Sequence, residues 1–356
     1  MTRAVALSFK DTLVAIVSCD IIWLPRRVVR RIRELVSRNV AVRPENLMVA
    51  CTHTHSGPDT LGWYAFSPSI PEWWLEWLAH IISSTVFQAV RNIREVDISY
   101  GTADFPLAVN RRRKFRGIIY RQPSADGEVE DQVTAVTFTN NGRVIGGIIH
   151  AAMHPVVLGA DSPKISGDWC GEMVRRLNAS IGGIWLFLNG CAGDNNPREG
   201  SGRTYDEMVE VGVRAANCAE DAIASGEVIS IHVLHGQKDV SQFDAQPHPY
   251  LNVEQTRRTA EEGGLMVECQ LIQLGPVTFI GMAGECLLES GRYLKSDSKQ
   301  LVVSYSNDYV GYIATSRSYD EGGYEPAASM LSKSGAADYL DFTKNQMTKL
   351  FSRICP

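Results

Sequence analysis

The chain has 356 residues, of which 44% are hydrophobic and 21% are charged, and its formal net charge is −5. The hydrophobic fraction is sufficient for a large buried core, whereas the negative charge argues against a general nucleic-acid-binding role. No apolar stretch is long enough to predict a membrane-spanning helix, and the start lacks the basic-then-apolar pattern of a signal peptide, so we predict a cytoplasmic protein.

Strand-like and helical patterns alternate along the sequence. We predict strands at residues 5–9 and 13–19, a helix at 26–38, a strand that ends near Cys51, and helices at 71–93 and 336–351. This alternation predicts an α/β fold, with a mixed β-sheet core flanked by helices and active-site loops at the strand ends. We expect a single catalytic domain over residues 1–356. The polar stretch 237–264 is interpreted as a loop or lid beside the substrate pocket.

Two of the predicted helices carry side chains whose placement follows from helical spacing. The first has a dense set of basic residues, which we interpret as a solvated face. These residues are Arg26, Arg27, Arg30, Arg31 and Arg33. In the second, Trp74, Trp77 and Ile81 recur at helical spacing and are therefore predicted to face the core.

The eight cysteines are scattered and form no Cys-x-x-Cys pair. This argues against a zinc ribbon or a thioredoxin-type redox site.

Two histidines follow the first strong apolar run after the basic helix. His53 and His55 stand two residues apart after the strand-like residues 47–50. Residues i and i+2 of a strand share a face, so both imidazoles could enter one cavity, one as a metal ligand and one beside the metal. The alternative is a pair of solvent-facing or hydrogen-bonded histidines in a loop, and the short spacing alone does not decide between them.

Further metal-ligating residue types follow two later apolar runs. His150 and His154 come after residues 144–149, and Pro155 predicts that the chain leaves the strand at His154. Glu285 follows the apolar residues 277–283. Two histidines and a glutamate with an open position form a known catalytic zinc arrangement, which activates water near neutral pH. The alternative for Glu285 is a carboxylate stabilised by the dipole at a helix N-terminus.

These residues resemble the N-terminal catalytic domain of the neutral ceramidases, zinc-dependent amidases that cleave the N-acyl bond of ceramide. The resemblance rests on a Thr-His-Thr-His-Ser-Gly-Pro motif at 52–58, a His-Pro pair at 154–155, a Gly-Glu pair at 284–285 and an Asn-x-Tyr-x-x-Tyr segment at 307–312. It implies one zinc ion per chain and a role for His55 in the active site. The zinc ligands it implies are His53, His154, Glu285 and Tyr312.

Two more segments match the resemblance and imply contacts with substrate. Asn110-Arg111 matches the substrate-site motif of the family, and Tyr324 begins a matching segment at 324–329. The resemblance places Arg111 in the pocket, where a guanidinium would bind a carboxylate or polarise a carbonyl.

The chain departs from the family pattern where neutral ceramidases have a serine. Asn196 occupies that position. An amide side chain can orient a substrate or donate a hydrogen bond to a developing oxyanion, but it cannot replace the hydroxyl of a nucleophile. We therefore expect direct attack by water activated at the metal, with Asp194 or Asp20 as the base. Asp194 has an equally plausible alternative role in capping the next turn.

A further acidic residue, Asp168, precedes a predicted helix. We interpret it as a helix N-cap, with support of the metal site as the alternative.

The ends of the sequence also differ from the family. Met1 falls almost on the first predicted strand, and no immunoglobulin-like domain follows the last helix. Each difference makes membrane ceramide a less expected substrate.

The sequence thus predicts a zinc-dependent hydrolase that cleaves a linear amide. The expected partner is a small acyl-amide substrate, without nucleic acid or stable membrane insertion. A homo-oligomer and a second metal near His150, Asp20 or Asp194 remain open. The alternatives are an ester or other acyl hydrolase with the same site, and a non-catalytic ligand-binding protein.

Overall fold

A computed structural model describes residues 1–60, 70–159, 162–247 and 265–354. The predicted α/β class is confirmed, since helices flank several sheets of mixed direction. The described helices are α1 (Arg26–Asn39), α2 (Glu72–Arg91), α3 (Asp168–Ser180), α4 (Tyr205–Ala224), α5 (Leu288–Leu294), α6 (Ser316–Glu321), α7 (Tyr324–Ala327) and α8 (Lys333–Ile354).

The strands are numbered in chain order through the same described residues. They are β1 (Thr2–Phe9), β2 (Thr12–Cys19), β3 (Leu47–Cys51), β4 (Asp97–Asp104), β5 (Ala108–Phe115), β6 (Ile118–Ser124), β7 (Gln132–Asn140), β8 (Arg143–Ala151), β9 (Ile184–Asn189), β10 (Asn195–Pro197), β11 (Glu227–Val228), β12 (Leu234–Phe243), β13 (Leu265–Leu274), β14 (Val277–Met282), β15 (Glu285–Cys286), β16 (Gln300–Val303) and β17 (Tyr312–Ile313).

Three sheets form the body of the fold. Their strand orders are β1-β2-β3, β11-β4-β7-β8-β9 and β12-β13-β14-β16. Each sheet contains one parallel pair, β2 with β3, β8 with β9, and β14 with β16. The remaining strands form two further sheets, β10-β5-β6 and β15-β17.

Alternating side chains of the strands divide the interior into layers. In β8, Ile149 packs with α3 and α4, whereas Ile148 faces the other two sheets. In β3, Met48 belongs to that same inter-sheet core, whereas Val49 packs with α1, α2 and α8. Successive residues of a strand point to opposite faces. The sheet that contains β8 therefore forms one layer, the other two sheets together form the layer that faces it, and helices cover both outer sides, which gives four layers.

The three parallel pairs bring functional segments to their carboxyl ends. His53 follows β3, His154 follows β8, and Glu285 lies shortly after β14. Ligand sites in open α/β sheets form where the carboxyl ends of strands meet, and the candidate site of this chain is built in that way.

The structure differs from three sequence-based expectations. Arg33 is not part of a solvated face, because it is 6% exposed and forms an ion pair with Glu268. Trp77 and Ile81 do not face the core, being 53% and 40% exposed. The predicted lid at 237–264 begins inside the strand β12, and its residues 248–264 lie outside the described residues.

Within the described ranges, no helix is both long and apolar enough to cross a membrane.

The buried pair of Arg33 and Glu268 ties α1 to β13 and gives a prediction about stability. Both nitrogen–oxygen distances are 2.7 Å, and Arg33 also donates to the carbonyl of Leu47. We expect Arg33→Ala to lower the free energy of unfolding by about 3–5 kcal/mol, because the Glu268 charge stays buried without its partner. Urea denaturation measures this change. Arg30→Ala, at an exposed site on the same helix, is the control, and an equal loss in both variants would contradict the prediction.

Candidate metal centre

Side chains from three strand ends converge at one buried point. Nε2 of His154 lies 3.0 Å from Oε2 of Glu285, and Nε2 of His53 lies 3.4 Å from the same oxygen. Nε2 of His55 lies 3.2 Å from Nε2 of His53. His53, His154 and Glu285 are at most 2% exposed, whereas His55 is exposed. The cluster therefore has a closed side and an open side, and His55 stands on the open side.

Backbone carbonyls fix the ring orientation of the two buried histidines. Nδ1 of His53 lies 2.9 Å from the carbonyl oxygen of Ile22, and Nδ1 of His154 lies 2.5 Å from that of Ala192. Since a carbonyl only accepts, each Nδ1 must carry the proton, which leaves the Nε2 lone pair directed into the cluster. This arrangement is typical of metal-ligating histidines. His55 has no such backbone bond among the described residues.

The protonation of His154 agrees with that orientation. Burial, reinforced by the positive charge of Arg111, lowers the pKa of His154 to about 4. Its imidazole is therefore neutral at pH 7, with a lone pair available to a metal.

The chemistry of these atoms fits a bound cation. In the orientation set by the carbonyls, two imidazole lone pairs and a carboxylate oxygen face one another, and this requires a positive charge between them. One ligand atom from each of His53, His55 and His154 lies within 4.8 Å of the others, and this is the metal-sized cluster found in the described residues. Nitrogen and carboxylate donors of this kind suit zinc.

Glu285 is held as a carboxylate by its neighbours. Burial opposes ionisation, but positive charge at the His53 and His154 imidazoles holds the pKa of Glu285 well below its usual range, and a cation bound between these groups would act in the same direction. The hydroxyls of Tyr305 and Tyr309 donate hydrogen bonds to its two oxygens. The sequence analysis gave neither tyrosine a role, although Tyr309 lies within the 307–312 motif.

The backbone around the cluster contains unusual conformations. His53 has φ 69° and Tyr305 has φ 57°, in the left-handed region that residues with a Cβ rarely occupy. The two rings stack with centroids 4.0 Å apart and an interplanar angle of 13°. The left-handed turn at His53, rather than the strand geometry assumed from the spacing, aims its ring at Glu285.

Arg111 connects the cluster to three other predicted site residues. It donates from Nη2 to the Tyr312 hydroxyl at 2.9 Å and from Nη1 to Oδ1 of Asn196 at 3.2 Å. Nη1 also lies 3.4 Å from Nε2 of His154. The ring of Tyr324 lies 5.5 Å from that of Tyr312. The structure therefore brings Arg111, Asn196, Tyr312 and Tyr324 together at the metal cluster.

The network around Arg111 depends on Glu325, which lies within the matching segment 324–329 but had no role assigned from the sequence. Glu325 is 1% exposed and accepts from Nε of Arg111 at 3.0 Å and from Nη1 of Arg112 at 2.6 Å. It neutralises two buried guanidinium groups at once. The pairing joins residues more than two hundred positions apart, and no local pattern in the sequence indicates it.

The two carboxylates predicted as the base have other partners. Oδ1 of Asp194 accepts from the backbone of Leu288 at the start of α5, and Oδ2 lies 3.5 Å from Asn110. Burial raises the pKa of Asp194 to about 6. Asp20 pairs with Arg3 at 3.0 Å. In the described part of the chain neither carboxylate contacts the histidine cluster. Asp194 binds the start of α5 rather than the turn that follows it in the sequence, and a role as base stays a prediction for both carboxylates.

Asp168 supports the chain that follows His154. Its carboxylate accepts from the backbone of Val157 and Leu158 at 3.2 and 2.9 Å, and from Trp169 at the start of α3. The N-cap of α3 is Gly167, and no side chain caps that helix, so the N-cap role predicted for Asp168 is wrong and its support of the metal site stays a prediction.

His150 lies apart from the cluster, with Nε2 2.8 Å from the carbonyl oxygen of Val302.

The double pairing of Glu325 gives a prediction. We expect Glu325→Gln to lower the free energy of unfolding by about 3 kcal/mol, because a neutral amide leaves the buried charge of Arg111 without its carboxylate partner and Arg112 with only the longer contact to Glu321. Urea denaturation measures the loss. Glu321→Gln is the control. Glu321 is 24% exposed and lies 3.8 Å from Arg112, a longer contact than that of Glu325, so this substitution should change stability little. Equal stability of Glu325→Gln and the wild type would show that the pairing is not needed.

Comparisons with known proteins identify the fold. No family model matches the chain, and no curated protein matches it. A solved structure of neutral ceramidase from Pseudomonas aeruginosa is 17% identical, with a TM-score of 0.78 over 99% of this chain and 69% of that one. A ceramidase complexed with C2 is also 17% identical, with a TM-score of 0.79 over 99% of this chain and 70% of that one. The resemblance noted in the sequence thus extends to the whole described fold, and the chain has the fold of the neutral ceramidases.

Proposed function

We propose that the protein is a zinc-dependent hydrolase that cleaves a linear amide bond. The observation that carries this proposal is the convergence of His53, His154 and Glu285, with both Nδ1 atoms tied to backbone carbonyls. The structural neighbours are ceramidases, and the bond in ceramide that such an enzyme cleaves is an N-acyl amide. Hydrolysis of an amide at this site is the simplest interpretation of the fold and the site geometry together.

His53, His154 and Glu285 would hold the metal, with Tyr312 as the fourth ligand. Zinc bound there would lower the pKa of water and polarise the substrate carbonyl. Arg111 donates to the Tyr312 hydroxyl, which turns one lone pair of that oxygen toward the guanidinium and holds the oxygen in place. Tyr305 and Tyr309 hold the Glu285 carboxylate in place through its two oxygens.

His55 is the acid–base residue of this proposal. It is the exposed member of the cluster, it lies 3.2 Å from His53, and no backbone carbonyl binds its ring among the described residues. A substrate entering from solvent would meet this imidazole first. We assign it the hydrogen bond to the carbonyl oxygen or the leaving amine. The proton that it gives to the amine when the C–N bond breaks is one that it first takes from the attacking water.

Asn196 takes the place of the family serine and binds the substrate carbonyl. Arg111 has only N–H donors, so the atom of Asn196 that faces it at 3.2 Å is the amide oxygen. The amide nitrogen then points away from Arg111, with two N–H donors and no acceptor among the described residues. These donors suit a carbonyl oxygen that becomes negative during the reaction. Arg111 is 1% exposed and acts on substrate through Asn196 and Tyr312.

The proposed metal site gives a prediction about zinc content. We expect about one zinc ion per chain in the purified protein, and a zinc content well below that in His53→Ala and in Glu285→Ala, because each change removes a ligand. Inductively coupled plasma mass spectrometry on protein without a metal-binding tag measures this. His80→Ala, at an exposed histidine on α2, is the control. Stoichiometric zinc in both ligand variants would refute the proposed site.

The role of Asn196 gives a second prediction. Asn196→Asp keeps the size and an oxygen for Arg111 but removes both N–H donors. We expect it to lower kcat on a hydrolysed N-acyl amide by about 100-fold, the usual effect of losing an oxyanion donor, without loss of zinc. Asn196→Gln is the matched variant that retains an amide. Full activity of Asn196→Asp would remove Asn196 from the mechanism.

The substrate class is tested with matched pairs. The same site could cleave esters or other acyl compounds, so N-acyl amides and the corresponding esters of equal chain length should be compared under single-turnover conditions. Faster cleavage of amides, relative to their uncatalysed rates, is the expected result. Tight binding with zinc present but no turnover of any acyl compound would favour a ligand-binding protein instead.

A further inference from the structure

The hairpin formed by β5 and β6 is strongly basic. Residues 111–121 contain six basic residues and no acidic residue. The strands are antiparallel, with Arg113 opposite Tyr120 and Phe115 opposite Ile118. Residues opposite each other, or two apart on one strand, share a face of a hairpin. These four side chains therefore lie on the same face, which we call the outer face.

The other face of the hairpin is attached to the body of the protein. Arg112 pairs with Glu325 and donates to the carbonyl oxygen of Gly322 at 3.0 Å, and Lys114 lies 3.6 Å from Glu321. A Cβ placed on Gly323 would be 2.9 Å from Cγ2 of Ile119, so this contact is tight. The hairpin is thus fixed by its inner face, and the outer face is held in a defined orientation.

The outer face combines apolar and basic side chains in solvent. Phe115 is 53% exposed, Ile118 is 56% exposed and Tyr120 is 40% exposed. Arg113 and Arg116 are exposed beside them. In the described part of the chain, no carboxylate pairs with either arginine. Exposed aliphatic and aromatic tips surrounded by arginines are the pattern that binds the interface of an anionic bilayer.

The size and charge of the outer face argue against a protein partner. A stable protein interface buries about 800 Å² on each partner and uses about 20–30 residues a side, far more than this hairpin offers. In a symmetric pair of two copies, each arginine would also face the same charges on the other copy. A bilayer needs no such area, because a few apolar side chains and basic residues suffice for reversible attachment.

We propose that the outer face of the β5–β6 hairpin docks reversibly on anionic lipid bilayers. Phe115, Ile118 and Tyr120 enter the headgroup region, and Arg113 and Arg116 bind lipid phosphates. Arg111, which lies at the metal cluster, belongs to strand β5 of the hairpin. Phe115 lies four positions after Arg111 on this strand, which corresponds to about 13 Å of extended chain. Docking therefore brings the candidate site close to the lipid surface without inserting the chain stably into it.

Sedimentation with vesicles tests the proposal on the full-length protein as purified. We expect binding to phosphatidylcholine vesicles that contain phosphatidylglycerol, little binding to phosphatidylcholine alone, and weaker binding as salt increases. Arg113→Glu combined with Arg116→Glu should reduce binding at least tenfold, since each basic residue near an anionic surface strengthens binding about fivefold. Phe115→Ser combined with Ile118→Ser should also reduce it strongly.

Control variants separate the hairpin from the rest of the surface. Arg30→Glu combined with Arg38→Glu makes the same charge change at exposed positions of α1. Trp73→Ser removes an apolar side chain that is 70% exposed on α2. Both should bind like the wild type, and circular dichroism should show an unchanged fold in every variant. Equal binding by hairpin and control variants, or no preference for anionic vesicles, would overturn the proposal. Dimerisation in light scattering that the hairpin variants abolish would overturn it in favour of a second copy.

Discussion

The structure depends on one electrostatic constraint. Electron-rich nitrogen and oxygen atoms of the candidate metal ligands converge at one buried site. Two imidazole nitrogens lie 3.0 and 3.4 Å from one carboxylate oxygen. Such atoms repel unless a cation or a proton lies between them. The Tyr305 and Tyr309 hydroxyls and the Arg111 guanidinium relieve part of this repulsion. The carbonyls behind His53 and His154 nevertheless keep the Nδ1 protons on the far side of both rings. The fold therefore maintains an arrangement that is favourable only with a positive charge at its centre.

The fold class and the convergence could be predicted because they depend on local patterns. Alternating strands and helices predict layers, and a histidine or a glutamate directly after a buried strand predicts a polar group at a sheet edge. The exact ring placement could not be predicted in this way. His53 reaches Glu285 through a left-handed residue, and a histidine in that conformation is not indicated by its neighbours.

Errors in the sequence analysis have identifiable physical causes. Arg33 follows Ile32 and lies between Val29 and Val36 on the apolar stripe of α1, so its position indicated burial although its charge suggested solvent. What decided the outcome was Glu268, which lies 235 residues away. Glu325 was missed for the same reason, since the partner of a buried ion is determined by the tertiary fold. In α2, the helical spacing of Trp77 and Ile81 was correct, but spacing alone does not state which side of a helix meets the core.

The bond between Arg111 and Asn196 has a consequence for how this type of site can evolve. Arg111 uses the Asn196 oxygen as an acceptor at 3.2 Å, and the guanidinium is 1% exposed. A serine at position 196 has a shorter side chain, so the same N–H would lose its acceptor in a place with little access to water, and a lost buried hydrogen bond is costly. Replacing Asn196 by serine in this chain would therefore require a compensating change around Arg111, so the residues at positions 111 and 196 are expected to change together.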